Sequence, residues 1–214
     1  MKTVSLEQAA AMIPDGARVM IGGFMGVGTP ERLIDALVDH GTGGLTVIAN
    51  DTATPGVGVG KLIGAGLVRR AIVSHIGLNP QTQQHMLDGK LDVELVPQGT
   101  LIERIRAGGY GLGGILTATG VGTVVEDGKP TVVVDGRTFL VEPALRADVA
   151  LVSAFLADYL GNLTYALTAR NFNPVIATAA DVVIVDADNI VPTGVIAPDH
   201  VVTPGPLVDY VVAH

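Results

Sequence analysis

Four stretches of the 214-residue sequence carry groups suited to holding a small ligand. Gly22, Gly23, Phe24, Met25, Gly26, Val27 and Gly28 form a loop in which four glycines let backbone N–H groups approach a ligand with no Cβ in the way. Asn50, in Asn50-Asp51-Thr52, and Gln98, in Pro97-Gln98-Gly99-Thr100, carry neutral amides that donate to a carboxylate or a developing oxyanion without titrating. His75, in His75-Ile76-Gly77-Leu78-Asn79, is the one histidine placed to matter. Each has a structural reading beside the functional one. Glycines make tight turns, Asn caps loops, Gln98 directly precedes a helix start, and a rim histidine is usually just hydrogen-bonded. The glycine spacing does not match G-x-G-x-x-G, and Gly60-Lys61 lacks the rest of a P-loop. With no Cys there is no thiolate nucleophile and no sulfur-ligated metal, and no G-x-S-x-G, H-E-x-x-H or paired-carboxylate spacing occurs. The residues offer recognition of an anion or carbonyl oxygen, with no catalytic residue and no metal ligand. Either the chain only binds, or the reactive group arrives on another chain.

These residues follow elements that must hold them. Short β-branched runs at 18–21, 45–49, 71–74, 92–96, 148–153 and 181–185 are apolar almost throughout, as strands covered on both faces are. Between them, 29–41 reads as a helix with Thr29 at the N-cap, Pro30 at the first position, Leu33, Ile34, Leu37 and Val38 on one face, and Gly41 just past the end. Thr100-Leu101-Ile102-Glu103 has capping-box spacing and predicts a second helix, closed by Gly108-Gly109. The rhythm predicts an α/β fold: a doubly wound, mostly parallel open sheet, in one domain over 1–214. Two Asp-Gly pairs, Asp127-Gly128 and Asp135-Gly136, sit beside β-rich runs and predict a small antiparallel hairpin insertion. In open α/β sheets ligands sit outside the carboxyl ends of the strands, so the glycine loop, Asn50, His75 and Gln98 should line one rim.

Apolar residues make up 48% of the chain and charged residues 16%, which predicts a buried sheet plus a subunit interface. A net charge of −8 excludes nucleic acid and an anionic membrane surface as partners, because phosphate attraction would have the wrong sign. A single anionic ligand held by backbone N–H groups stays compatible with that charge. The uncharged stretch 107–125 holds seven Gly and three Thr, which predicts a buried loop rather than a membrane helix. The amino-terminal residues show no apolar signal region, so the expected location is cytoplasmic.

Several ordered motifs resemble the α subunit of family I CoA-transferases, of the acetate/acetoacetate kind. They are the 22–30 loop, Ile48-Ala49-Asn50-Asp51-Thr52-Ala53, residues 96–109, Gly120-Val121-Gly122-Thr123, Gly161-Asn162-Leu163-Thr164-Tyr165, Ala169-Arg170-Asn171-Phe172-Asn173-Pro174 and Thr203-Pro204-Gly205. The resemblance implies a ping-pong transfer in which a glutamate attacks an acyl-CoA thioester. An acyl-glutamyl anhydride and then a glutamyl-CoA thioester form, and an acceptor carboxylate resolves the latter. That glutamate lies in a Glu-Asn-Gly motif of the family's β subunit, a tripeptide absent from this chain. The resemblance further implies a β partner in an α2β2 assembly, acyl-CoA and a short-chain carboxylic acid as substrates, and coenzyme A as substrate rather than a permanently bound cofactor. Residues 22–28 match the CoA-binding signature, and Asn50 and Gln98 would orient the acyl or carboxylate group. One departure lies before Gly161-Asn162: the family often has a basic residue there, whereas this chain reads Ser153-Ala154-Phe155-Leu156-Ala157-Asp158-Tyr159-Leu160. The competing readings are a non-catalytic module sensing sugar phosphate or acyl-CoA, and a sugar-phosphate isomerase.

Overall fold

The computed structural model describes residues 2–213. The chain runs β1 (Lys2–Val4), α1 (Leu6–Ala11), β2 (Arg18–Ile21), α2 (Glu31–His40), β3 (Leu45–Ile48), α3 (Val59–Gly64), β4 (Val68–Val73), α4 (Pro80–Leu87), β5 (Asp92–Leu95) and α5 (Gln98–Gly109). Three strands of a small sheet follow: β6 (Gly114–Thr117), β7 (Thr131–Val134) and β8 (Arg137–Pro143). The main sheet then resumes with β9 (Ala147–Asp158), β10 (Leu163–Thr164), α6 (Asn173–Ile176), β11 (Ala180–Val191) and β12 (Tyr210–Val212).

In the main sheet the order is β1-β12-β11-β9-β2-β3-β4-β5, all parallel, with β10 antiparallel to β9. From β2 the chain winds outward through β3, β4 and β5; from β9 it winds the other way. The reversal falls between β2 and β9, which is the crevice where such sheets bind ligands. Helices α1–α4 cover one face, packing Leu33, Ile34, Leu37, Leu62 and Ile63 on Val19, Ile21, Val47, Val73 and Leu151. Helices α5 and α6 cover the other, with Leu101, Ile105 and Ile176 on Met20, Ile48, Ile72, Val152 and Val185. Coverage of both faces is why these strands read as unbroken apolar runs. Among the described residues no helix is long and apolar enough to cross a membrane.

The doubly wound parallel sheet and the hairpin agree with the expectation from sequence. Asp135 (φ 49°) and Gly136 (φ 74°) make the tight connection between β7 and β8, both in the left-handed region that a two-residue hairpin of this kind requires. Three local readings need correction. Pro30, not Thr29, occupies the cap position of α2 and makes no side-chain cap; Thr29 Oγ1 instead lies where a Cβ on Gly23 would point, packed inside the glycine loop. α5 begins at Gln98, two residues ahead of the predicted cap, so Thr100 sits buried in its first turn with Oγ1 unpartnered, and no capping box forms. The stretch 107–125 is not a buried loop. It supplies β6, an edge strand whose Leu116 is exposed, and a turn in which Val124 is 84% exposed.

Glu94, on β5, accepts from Arg104 Nη1 (2.9 Å) and Arg70 Nη2 (2.7 Å). Burial is the largest single influence and opposes ionisation, but the two guanidinium groups together outweigh it and hold this carboxyl below the usual glutamate range. A folded pKa below the unfolded one means stability that is full above about pH 4.5 and lost as pH falls through the lower folded value. Urea midpoints of the wild type should therefore drop below about pH 4.5. Glu94→Gln should be less stable at pH 7 and should show a shallower acid slope; parallel slopes for the two proteins would contradict this account.

Candidate functional site

The loop at 22–28 leaves β2 at the winding reversal, and its shape is set from far along the chain. Gly22 N–H donates to Leu151 O (3.1 Å) on β9, and Phe24 and Val27 exchange N–H···O bonds of 3.0 and 2.9 Å, curling the tip into a miniature hairpin. Asn171 reaches in from the segment before α6: its Oδ1 accepts from Gly23 N–H (3.0 Å) and its Nδ2 donates to Val27 O (3.0 Å). Asn173, fully buried, donates from Nδ2 to Gly28 O (2.8 Å) and accepts from Ser153 N–H (2.9 Å). A Cβ on Gly22 would fall 1.8 Å from Asn173 Oδ1, and one on Gly28 (φ 73°) 2.4 Å from Ala169 O. Glycine at these two positions is required by close approach as much as by turn geometry.

Asp51 clamps the same loop from β3's end. It is 5% exposed, and its carboxylate accepts from Met25 N–H (3.0 Å), Ala53 N–H (2.7 Å) and Asn50 Nδ2 (2.9 Å). Met25 (φ 54°) and Ala53 (φ 48°) are both non-glycine residues in the left-handed region. That conformation costs roughly 1–2 kcal/mol per residue, and strain of this kind gathers at functional sites.

Asn50 and Gln98 come together as the shared rim requires. Gln98 Nε2 donates to Asn50 Oδ1 (2.8 Å), and Ser74 Oγ donates to Asn50 O (2.7 Å). Because Asp51 Oδ2 accepts from Asn50 Nδ2, it fixes which way the Asn50 amide faces, and Asn50 Oδ1 in turn orients Gln98. Asn50 is buried at 1% exposure, whereas Gln98 stands exposed at the amino end of α5, its Oε1 and second N–H without a partner among the described residues. His75 is exposed beside them, its backbone bridged to that of Asp51.

A cleft of about 240 Å³ opens here, lined by Phe24, Asn50, Gln98, Ile102, Asn171 and Phe172. Three amides, two aromatic rings and an isoleucine give hydrogen-bonding edges beside apolar walls, with no carboxylate, imidazole or hydroxyl on the lining. Of the loop, Gly22, Gly23, Phe24, Met25 and Val27 spend their N–H groups inside the chain. Gly26 and Gly28 keep theirs without an acceptor among the described residues, and Phe24 and Val27 are about half exposed at the tip. No group of three or more His, Asp or Glu among the described residues is placed to hold a metal.

The remaining motifs are structural. Asn162 Oδ1 accepts from Gly205 N–H (2.9 Å), Tyr165 Oη lies 2.6 Å from Thr203 Oγ1, and a Cβ on Gly205 would strike Leu160 O at 2.2 Å. Burial pushes the Tyr165 hydroxyl up to about 12, the Thr203 hydrogen bond opposing it, so it stays neutral and acts as a packing group. Leu160 is 59% exposed and presents an apolar side chain at the surface. Asp51, Asn171 and Asn173 shape the site without a local signal of that role: Asp51 meets Met25 from 26 residues away, and Asn171 and Asn173 meet the loop across 144 to 148 residues. Gly28→Ala should cost about 2 kcal/mol through its left-handed φ and the clash with Ala169 O. An unchanged urea midpoint would mean that the loop does not pack as described.

The coenzyme A transferase family model matches residues 3–214, and the chain belongs to that family. Its similarity is to alpha subunits in particular. It is 57% identical over 211 residues to the acetate CoA-transferase subunit alpha of Escherichia coli (strain K12), covering 99% of this chain and 96% of that one. It is 47% identical over 211 residues to the acetoacetyl-CoA:acetate/butyrate CoA transferase alpha subunit of Clostridium acetobutylicum, covering 99% and 97%. An acyl-CoA transferase from Escherichia coli O157:H7, solved as a thioester complex with CoA, has a TM-score of 0.88 at 26% identity. All of this chain aligns with 47% of that one, so it spans about half the length of the solved relative.

Proposed function

We propose that residues 1–214 act as one α-subunit domain of a cytoplasmic enzyme that moves coenzyme A between short-chain acyl-CoA and short-chain carboxylic acids. Acetate and acetoacetate are the type substrates, a β subunit is the obligate partner in an α2β2 assembly, and CoA is substrate with no permanently bound cofactor. One observation carries the reading: a cleft at the winding reversal lined by amides and apolar groups, with no nucleophile on its walls. Such a cleft positions an acyl or carboxylate group for a reactive carboxylate brought by another subunit.

The β subunit's glutamate attacks the thioester carbonyl. A C–O bond forms, the C–S bond breaks, and CoA leaves as thiolate from an acyl-glutamyl anhydride. The thiolate then attacks the glutamyl carbonyl of that anhydride and releases the first carboxylate. The acceptor acid runs the two steps in reverse. Each addition places negative charge on a carbonyl oxygen, and the free N–H of Gln98, aimed by Asn50, is the donor for it. Gly26 and Gly28 offer backbone N–H groups near the start of α2, and Phe24 and Val27 give an apolar surface for the thioester arm. The sensor and isomerase readings find no support in the site or in the relatives.

Co-expression with a β subunit carrying Glu-Asn-Gly should yield a complex that transfers CoA from acetyl-CoA to acetoacetate or a similar acid. A folded complex with no transfer to any short-chain acid would overturn the proposal, and so would full transfer by this chain alone.

A further inference from the structure

At the other end of the strands lies a feature that the cleft does not use. Regular alternation would put Val68 and Arg70 on one face of β4 and Arg69 on the other. The ladder departs from that: Leu45 pairs with Val68, but the next residue, Thr46, pairs with Arg70, so Arg69 is an extra residue in a β-bulge. Packing records the same shift. Val68 and Ala71, three positions apart, both lie in the core beneath α1–α4, and Ile72 lies in the core beneath α5. Arg69 and Arg70 both turn to the α5 side, where with Arg18, Thr46, Glu94 and Arg104 they line a cleft of about 390 Å³. A bulge sacrifices ladder bonds, and this one re-aims a second guanidinium onto a face where a regular strand would show one.

The charges there do not cancel. Arg70 pairs with Asp92 (3.3 Å) and Glu94 (2.7 Å), and Arg104 with Glu94 (2.9 Å). Glu142, 3.8 Å from Arg104, is matched by Lys129. Arg18 and Arg69 have no side-chain partner among the described residues. Four guanidinium groups against Asp92, Glu94 and Asp148, whose Oδ2 accepts from the Arg18 backbone N–H (2.7 Å), leave about one positive charge concentrated in a chain of net charge −8. Arg70 Nε is buried with no acceptor among the described residues, a donor whose lost hydration they do not restore.

We infer that this cleft is a second ligand site, built for a small doubly charged oxyanion such as a phosphate or a short dicarboxylate. Guanidinium forks match the paired oxygens of both. The site is separate from the substrate cleft: Thr46 and Asn50 are four residues apart along an extended strand, roughly 13 Å at 3.3 Å per residue.

Isothermal titration of the 214-residue chain, in its complex with the β subunit, with inorganic phosphate, and separately with succinate, tests this. At least one of the two should bind saturably at one site per chain, and the preferred one gives the ligand's class. Arg69→Ala and Arg18→Ala, both exposed residues, should keep the wild-type melting temperature in ligand-free buffer. Each should weaken binding at least about tenfold, the loss of a charge-assisted contact. Gln98→Ala should bind the anion as the wild type does, which separates this site from the substrate cleft. Arg69→Ala should leave CoA transfer by the α–β complex unchanged in buffer free of phosphate and dicarboxylates. No saturable binding of either anion, or equal affinity in wild type and Arg69→Ala, would overturn the inference.

Discussion

Gln98→Ala is expected to lower the turnover of the assembled α–β complex by about 10²–10³-fold if Gln98 is the proposed donor, the loss of roughly 2.7–4 kcal/mol of transition-state stabilisation that follows removal of one donor to a developing oxyanion. Its melting temperature should stay close to wild type, because the side chain is exposed and makes a single hydrogen bond among the described residues. Asn50→Ala loses comparable activity for a different reason. Asn50 is the acceptor that orients Gln98, and its removal lets the exposed amide swing through its rotamers. It also strips Asp51 of a donor and is expected to destabilise the fold by about 1–3 kcal/mol. If the two residues act as one unit, the double variant is little slower than either single one. Steady-state rates with acetyl-CoA and an acid acceptor decide this: wild-type kcat in both single variants would remove the pair from the site, and multiplying defects would deny that Asn50 works through Gln98.

What the sequence made legible follows from how far each feature reaches along the chain. Gly41, in the left-handed region at the end of α2, and Asp135-Gly136 between β7 and β8 are local turn chemistry, and both behave as expected. The rim residues Asn50 and Gln98 were legible together because strand ends in a parallel sheet share one edge, and they prove to be hydrogen-bonded. Thr100 misled because capping-box spacing is a short pattern; the helix starts earlier, at Gln98 directly after Pro97, and leaves Thr100 in a buried turn. The reason for Gly22 and Gly28 was out of reach. It lies in Asn173 and Ala169, which meet the loop only because β9 returns beside β2. The bulge at Arg69 was equally silent, since it exists only in the register between β3 and β4.

Asp51→Ala is expected to destabilise the chain by about 3 kcal/mol or more, because it leaves three donors without their shared acceptor at no less than about 1 kcal/mol each. For a domain of this size that is a fall of about 6–12 °C in melting temperature. The effect on function exceeds what lost stability alone would produce. One carboxylate holds Met25 and Ala53 in left-handed backbone at once, and also fixes the Asn50 amide, so its removal releases the loop and the amide pair together. Asp51→Asn separates the two contributions. An amide of the same shape still offers one acceptor oxygen, but it presents N–H where a second acceptor is needed. It should recover part of the stability while CoA-thioester KM stays high and kcat stays low. Urea denaturation paired with KM and kcat measurements tests both halves. Wild-type stability in Asp51→Ala would mean that the strained loop is held by something else, and full activity in Asp51→Asn would show that the Asn50 and Gln98 amides do not depend on the carboxylate for their orientation.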